Sequence, residues 1–306
     1  MKIVVAGGTG FLGTPLVSQL RAGGNDVSVL TRGQAGAGLI TWSPNGTIGP
    51  WAVAIDGADV VINLAGESIA GRRWTEAHKV RIRDSRILAT RSIVSAIHAA
   101  ARKPSMLVNA SAVGYYGSRG NETLTEESAP GSDFLATVCR AWEAEAESAA
   151  NASRVILLRS APVLESDGGA LPQMARPFRF FVGGPVGSGR QYWSWIHRDD
   201  WVAIVKWALQ TDVSGALNLA APTPITNREF AETLGRVLRR PAVMPAPPLA
   251  LRLALGEMAD VLLFSQRVIP AKAERLGFRF RYPTLEPALA AALRNRPPSG
   301  GATSMM

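Results

Sequence analysis

Over its first 160 residues the chain alternates short β-branched apolar runs with longer stretches whose apolar positions recur every three or four residues. The short runs are KIVVA (2–6), DVSVLT (26–31), DVVINLA (59–65), SMLVNA (105–110) and RVILLR (154–159). Strands that alternate with helical stretches predict a parallel sheet joined by crossover helices, a doubly wound α/β fold. Leu12, Leu16 and Leu20 share one helix face, and Val80, Ile87, Val94, Ile97 and Ala101 fit one face of a long helix from about 75 to 101. Both are expected to pack on the sheet.

After about residue 165 the pattern changes. Gly and Pro become frequent in ESDGGALP and VGGPVGSG, YWSWIH reads as a strand, and RDDWVAIVKWALQ reads as a helix. LALRLALGEMADVLLF carries Arg252, Glu257 and Asp260, which excludes a membrane span and reads as a core-facing amphipathic helix. The tail RPPSGGATSMM has the composition of a disordered end.

Gly8, Gly10 and Gly13 satisfy G-x-G-x-x-G between a predicted strand and a predicted helix, the context that this motif requires. One glycine permits the tight turn, one lets the backbone approach a pyrophosphate, and Gly13 lets the helix pack on the strand. The helix N-terminus then offers free N–H groups and its positive dipole end to the phosphates. Residues Gly7, Thr9, Gly10, Phe11, Leu12 and Gly13 therefore form the candidate dinucleotide loop. The second strand ends in Thr31 and Arg32, with no acid to bind ribose hydroxyls. A guanidinium there suits a 2′-phosphate, so NADP(H) is expected over NAD(H). The expected division is a Rossmann domain over 1–165, a smaller substrate-side and C-terminal region over 166–295 interleaved with the sheet, and a tail over 296–306.

Composition narrows the picture. The chain has 306 residues, 47% of them hydrophobic, enough to bury a sizeable core. One cysteine, Cys139, and three histidines leave no disulfide and no expected metal site, and fit a reducing cytoplasm. The net charge is +9, but the arginines are scattered and no nucleic-acid signature accompanies them. Neither nucleic acid nor membrane is expected as a partner. A small-molecule substrate and a monomer or homodimer are.

The chain resembles the extended, epimerase-like form of the short-chain dehydrogenase/reductase superfamily, in its atypical epimerase/dehydratase-like branch, some members of which carry a cell-division-inhibitor label. The resemblance rests on GGTGFLG, NLAGE with RRW, DSR, SAVGYYG, LRSAPVL, GSGRQYWSWIHRDD, APTPITNREF and the C-terminal GEMADVLL, QRVIPAK and GFRFRYP. It implies a Rossmann-type sheet with a small C-terminal subdomain. The cofactor it implies is touched by Thr31, Arg32, Leu64, Ala65 and Gly66, by Arg86, and by Pro162 and Val163 near the nicotinamide. It also implies that the helices at about 75–101 and 133–151 can serve a dimer.

In the superfamily's usual mechanism a tyrosine exchanges the proton, and a lysine four residues on lowers its pKa from about 10. Here those roles fall on Phe134 with Val138, or on Leu135 with Cys139, and the usual hydroxyl position is Ala112. The candidates for relocated chemistry are Tyr116 as proton donor, with Ser111, Tyr115 and Glu67 beside it, and Trp193 and Trp195 as aromatic pocket walls. His197 has a useful pKa range but is expected at a helix cap with Asp199 and Asp200. Arg72, Arg73 and Trp74 can hold an anionic substrate or simply cover the rim. The expectation is an NADP(H)-dependent oxidoreductase on an unidentified small molecule. A catalytically silent NADP(H) sensor or scaffold is the alternative, and a nucleotide-sugar epimerase the third reading.

Overall fold

The structure, a computed structural model, describes residues 1–69 and 73–294. The predicted tail and Arg72 lie outside the described residues. Seven strands form one parallel sheet: β1 (Lys2–Ala6), β2 (Asp26–Thr31), β3 (Leu39–Thr41), β4 (Val60–Asn63), β5 (Met106–Ala112), β6 (Arg154–Ser160) and β7 (Gly215–Leu219). Their spatial order is β7-β6-β5-β4-β1-β2-β3. The order reverses between β1 and β4, and ligands of doubly wound sheets bind in the crevice outside the carboxyl ends at such a point.

The continuous apolar runs follow from burial of both sheet faces. Along β1, Ile3 and Val5 face a core with Leu16 and Leu20 of α1 (Gly13–Ala22). Val4 and Ala6 face a second core with Ile93 and Ile97 of α2 (Glu76–Ala99) and Ala146 of α3 (Phe134–Glu147). Thr75 caps α2, its side chain accepting the His78 amide. The buried stripe of α2 runs through His78, Ile82, Ala89, Ile93 and Ile97, whereas Val80 is exposed. Polar residues at buried positions shifted the stripe that the sequence suggests.

The main sheet takes its seventh strand from residues beyond 165. Helix α4 (Leu171–Arg179) follows the turn after β6, α5 (Arg198–Leu209) packs on the α1 side, and α6 (Asn227–Leu238) is opened by a capping box between Thr226 and Glu229. YWSWIH is not one strand: Tyr192–Trp193 pairs antiparallel with Ile225–Thr226, and Ile196–His197 pairs parallel with Val163–Leu164. LALRLALGEMADVLLF also departs from expectation. It breaks at Gly256, φ +63, into α7 (Pro248–Leu255), a short 3-10 turn and α8 (Ala259–Leu263), and α7 has no buried residue. Two further helices, α9 (Ala271–Arg275) and α10 (Leu285–Arg294), complete the C-terminal region, and α10 packs on α6.

Candidate cofactor and substrate site

The loop between β1 and α1 is glycine-rich for separable reasons. Gly7 holds φ +74, and a Cβ on it would lie 2.8 Å from the Leu64 carbonyl carbon, because the turns after β1 and β4 touch. A Cβ on Gly13 would lie 2.2 Å from Gly7 O, and one on Gly8 would lie 2.8 Å from Val29. These three are required by the protein's own packing. Gly10 is different: a Cβ there meets only Gly7 O, at 3.3 Å, and otherwise open space. Thr9 and Gly10 are exposed, and the α1 N-terminus has neither a side-chain cap nor an acid in its first turn. Uncapped N–H groups and the positive end of a helix dipole at such an open position suit a phosphate.

Two cations flank this loop. Arg32 is exposed at the end of β2, beside the turn in which the Gly33 amide donates to Thr31 Oγ1 at 3.1 Å. Arg86 is half-buried on α2, its guanidinium 5.2 Å from the Trp142 ring and donating to Ile82 O at 2.9 Å. A Cβ on Gly66 would lie 3.3 Å from Arg86 Cζ, so the turn after β4 runs directly against this charge. Burial pulls the Arg86 pKa down, against the influence of Cys139 and Glu67. Neither arginine has an ion-pair partner among the described residues, so both leave positive charge available to an anion at this loop.

A buried polar cluster that sequence reasoning missed fixes the turn after β4. Asn63 Nδ2 donates to Thr90 Oγ1 at 2.9 Å and to Asn109 Oδ1 at 2.7 Å, Trp142 Nε1 donates to Thr90 Oγ1 at 2.9 Å, and Asn63 Oδ1 accepts the Ala65 amide at 3.1 Å. Asn63, the last residue of β4, is the register partner of Asn109 in the middle of β5. The available signal was an asparagine closing each of two neighbouring apolar runs. On the far side, Phe11 fills the space above the Gly168–Gly169 turn, where a Cβ on Gly168 would come within 2.5 Å of its ring. Arg198 holds that turn through Glu165 at 3.0 Å and Asp167 at 2.5 Å. Val163 is fixed by its pairing with Ile196, and Pro162 stays exposed beside it.

On α3 the positions where the resemblance expects the acid and its lysine hold Phe134, Leu135, Val138 and Cys139. A Cβ on Gly114 would lie 3.3 Å from Leu135 Cβ and 3.9 Å from Cys139 Sγ, so these two side chains face the turn after β5. Burial pushes the Cys139 thiol up to about 12. Phe134 packs edge-on against Trp74 at 5.4 Å, under Lys79, and Val138 is buried. Lys79 is bound to Glu76 and Glu257, and Arg73 lies against Gly256, so the rim of the cleft is tied to the C-terminal region.

The structure corrects several placements. Tyr116 does not reach the cleft: it is fully buried, its hydroxyl donates to Asn218 Oδ1 at 2.6 Å and accepts from Arg159 Nη1 at 3.1 Å, and burial pushes its pKa up to about 12. A phenol so enclosed cannot exchange a proton with a substrate. Ser111 is turned under α3, donating at 2.6 Å to Glu143, which Arg159 grips with contacts of 2.8 and 2.9 Å. Tyr115 is half-buried with the Arg159 guanidinium 3.4 Å from its ring centre. The same network reaches Glu126, whose carbonyl accepts from Arg159 and whose carboxylate accepts the amides of Asn218 and Lys272. Trp195, expected as a wall of the substrate pocket, is buried with Leu164, Leu171 and Phe178, and Trp193 is half-buried on Phe230 while donating to Leu262 O at 3.3 Å. His197 is buried, caps α5 by accepting the Asp199 amide at 3.1 Å, and stacks on Tyr282 at 4.1 Å. Glu67 alone of the proposed acids stays beside the cofactor turn, half-buried, its amide donating to Ser85 Oγ at 2.9 Å.

The seven-stranded order and the glycine loop agree with what comparison with known proteins shows. A model described as the NAD dependent epimerase/dehydratase family matches residues 3–220. The chain belongs to that family. A domain of unknown function, DUF1731, matches residues 246–292 of this family member. The chain is 41% identical over 303 residues to the chloroplastic epimerase family protein SDR39U1 homolog of Arabidopsis thaliana, covering 96% of this chain and 87% of that protein. It is similar to the crystal structure of human epimerase family protein SDR39U1 (isoform 2) with NADPH, at 36% identity and a TM-score of 0.90, covering 97% of this chain and 100% of that one. UDP-N-acetylglucosamine 4-epimerase from Bacillus cereus, at 20% identity and a TM-score of 0.76 over 97% of this chain and 98% of that one, shares the fold.

Proposed function

We propose that this epimerase/dehydratase-family member binds NADP(H) across the carboxyl ends of β1, β2, β4 and β6 and is an oxidoreductase on a small molecule. The observation that carries this reading is the contrast at the loop: Gly10 faces open space beneath an uncapped helix N-terminus, flanked by Arg32 and Arg86, which have no ion-pair partner among the described residues. The NADPH in the crystal structure of human SDR39U1 supports the choice of cofactor. In this reading Gly7, Thr9, Gly10, Phe11, Leu12 and Gly13 cradle the pyrophosphate, Arg32 and Thr31 hold the 2′-phosphate, and Leu64, Ala65 and Gly66 lie under the adenosine side. Arg86 supplies positive charge from α2, and Pro162 and Val163 bound the nicotinamide end.

NADP(H), when bound, supplies hydride chemistry. For the accompanying proton, the enclosed Tyr116 and Cys139 are replaced in this proposal by Glu67, which is half-buried in the same loop as the cofactor turn. Leu135, Phe134 and Val138 keep the floor dry. The same apolar floor favours a second reading, an NADP(H) sensor without turnover, because neither a phenol nor an amine occupies the usual acid positions. Calorimetry with NADPH and NADH tests the binding claim, and equal affinity for both would overturn it. Loss of the NADPH absorbance band over a panel of carbonyls and quinones separates enzyme from sensor.

A further inference from the structure

Helix α7 does not do what its sequence suggests. Leu249 and Leu253, one turn apart, are 71% and 70% exposed. The segment that leads into it is zipped to the loop after α4: the Met244 amide donates to Gly183 O at 3.1 Å, Ala246 to Pro185 O at 2.8 Å, and Gly187 to Ala246 O at 2.9 Å. A Cβ on Gly187 would also touch Leu263 and Pro248, at 3.1 and 3.6 Å, so α7 continues from the same seam. This pairing sets exposed Val243 and Met244 beside exposed Phe180, Phe181 and Val182. Phe181 holds φ +61, a backbone state that bulky L-residues rarely adopt, and its ring is held outward 4.5 Å from the Arg240 guanidinium. Surfaces that gather large apolar side chains in this way mark sites of association.

The surroundings of the patch are basic. Arg176 and Arg179 end α4, and Arg239 and Arg240 follow α6, all four exposed and without a carboxylate partner among the described residues. Beside them is a depression of about 840 Å³ whose charged walls are Arg228, Arg236, Arg239 and Arg240 against the single acid Glu232. The whole chain adds to this field with a net charge of +9.

We propose that this face docks on an anionic lipid bilayer, with Phe180, Phe181 and the α7 leucines entering the interface and the arginines receiving phosphate headgroups. Apolar side chains rimmed by arginine match both properties of such a surface, its acyl boundary and its negative potential. A symmetric contact with a second copy would instead bring two arginine-rimmed faces together with few acids on the face to offset them, which like-charge repulsion opposes. The expectation of no membrane partner rests on the lack of a span. No helix among the described residues is long and apolar enough to cross a membrane, and surface docking needs none.

Co-sedimentation of the full chain with vesicles of phosphatidylcholine alone and of phosphatidylcholine mixed with phosphatidylglycerol tests the proposal. Binding to the mixed vesicles should exceed binding to the neutral ones by at least about fivefold, the effect of one interfacial arginine, and should weaken with salt. The double variants Phe180→Ser/Phe181→Ser, Leu249→Ser/Leu253→Ser and Arg179→Glu/Arg239→Glu should each lower it severalfold. All alter exposed side chains, so unchanged NADPH affinity or an unchanged melting temperature serves as the fold control. The proposal is overturned if the native chain stays in the supernatant, if neutral vesicles bind equally, or if the folded variants bind as the native chain does. It is also overturned if the leucine variant abolishes self-association in sedimentation velocity while no vesicle binds, since the face then belongs to a second copy.

Discussion

The Tyr116 hydroxyl lies 2.6 Å from Asn218 Oδ1, joining the turn after β5 to the edge strand β7 across 102 residues of sequence. The phenol is therefore a tie between strands. Tyr116→Phe should lower stability by about 1–3 kcal/mol, because it leaves the buried Asn218 carbonyl and one Arg159 N–H without their partner. Chemical denaturation measures this, and NADPH affinity should be unchanged. A variant of full stability that loses turnover on a discovered substrate would return the phenol to the chemistry.

Burial raises two acids together and predicts an alkaline limit. The Cys139 thiol moves from 9.0 to about 12 and the Tyr116 phenol from 10.0 to about 12. Each group is neutral in the fold over a range where the unfolded chain already ionises, so each contributes stability below its unfolded pKa. That contribution is lost as pH rises through the interval up to about 12. Denaturation midpoints should fall steadily above about pH 9, the ordinary thiol range, and the fall should be shallower in Cys139→Ala. Parallel profiles for the two proteins would refute the thiol's share.

Two glycines of one loop should fail in different ways. Gly13→Ala places a Cβ 2.2 Å from Gly7 O and should destabilise or unfold the chain, whereas Gly10→Ala meets only an oxygen at 3.3 Å and should fold. The folded Gly10→Ala protein should lose NADPH affinity, because the new methyl occupies the pyrophosphate approach. Thermal melting with and without NADPH separates the two effects, and a normal ligand-induced shift in Gly10→Ala would remove the loop from the site.

Arg32→Ala should weaken NADPH binding by about 1.5–3 kcal/mol, the range for a charge-assisted hydrogen bond, and leave NADH nearly unaffected. Arg86→Met should instead weaken both cofactors, since its charge lies at the Gly66 turn and not at the end of β2. Titration calorimetry with both nucleotides distinguishes these patterns, and equal losses in Arg32→Ala would discard the 2′-phosphate assignment.

What could be read from the sequence follows from what is local. β1, β2, β4, β5 and β6 were legible because their buried faces leave continuous apolar runs, and the glycine loop because its spacing sits between a strand and a helix. β7 was not, since Gly215 and Asn218 interrupt GALNL, and Asn218 is polar there for the sake of a residue in a distant turn. Of the Asn63, Thr90, Asn109 and Trp142 cluster only the two asparagines left a trace in the apolar runs, because its members meet across 19 to 52 residues. Tyr116 was misplaced because a short 3-10 turn, Val113–Tyr116, decides which of two adjacent tyrosines points inward, and periodicity does not reach so short an element.

The Glu126 carboxylate accepts amides from residues 218 and 272, so the loop above β5 is pinned from the last third of the chain. During synthesis the strands β1, β2, β4 and β5 leave the ribosome with their crossover helices and can pair, while that loop still lacks its anchors. The hypothesis for the nascent chain is that the loop over 117–131 stays open until Lys272 has emerged. Chains stalled before Lys272 should be cleaved in this loop by a protease that spares the released protein, and equal protection in both would refute it. The packing around Tyr116 would then be completed late in translation, leaving a window in which a half-made protein displays an unpinned loop to chaperones.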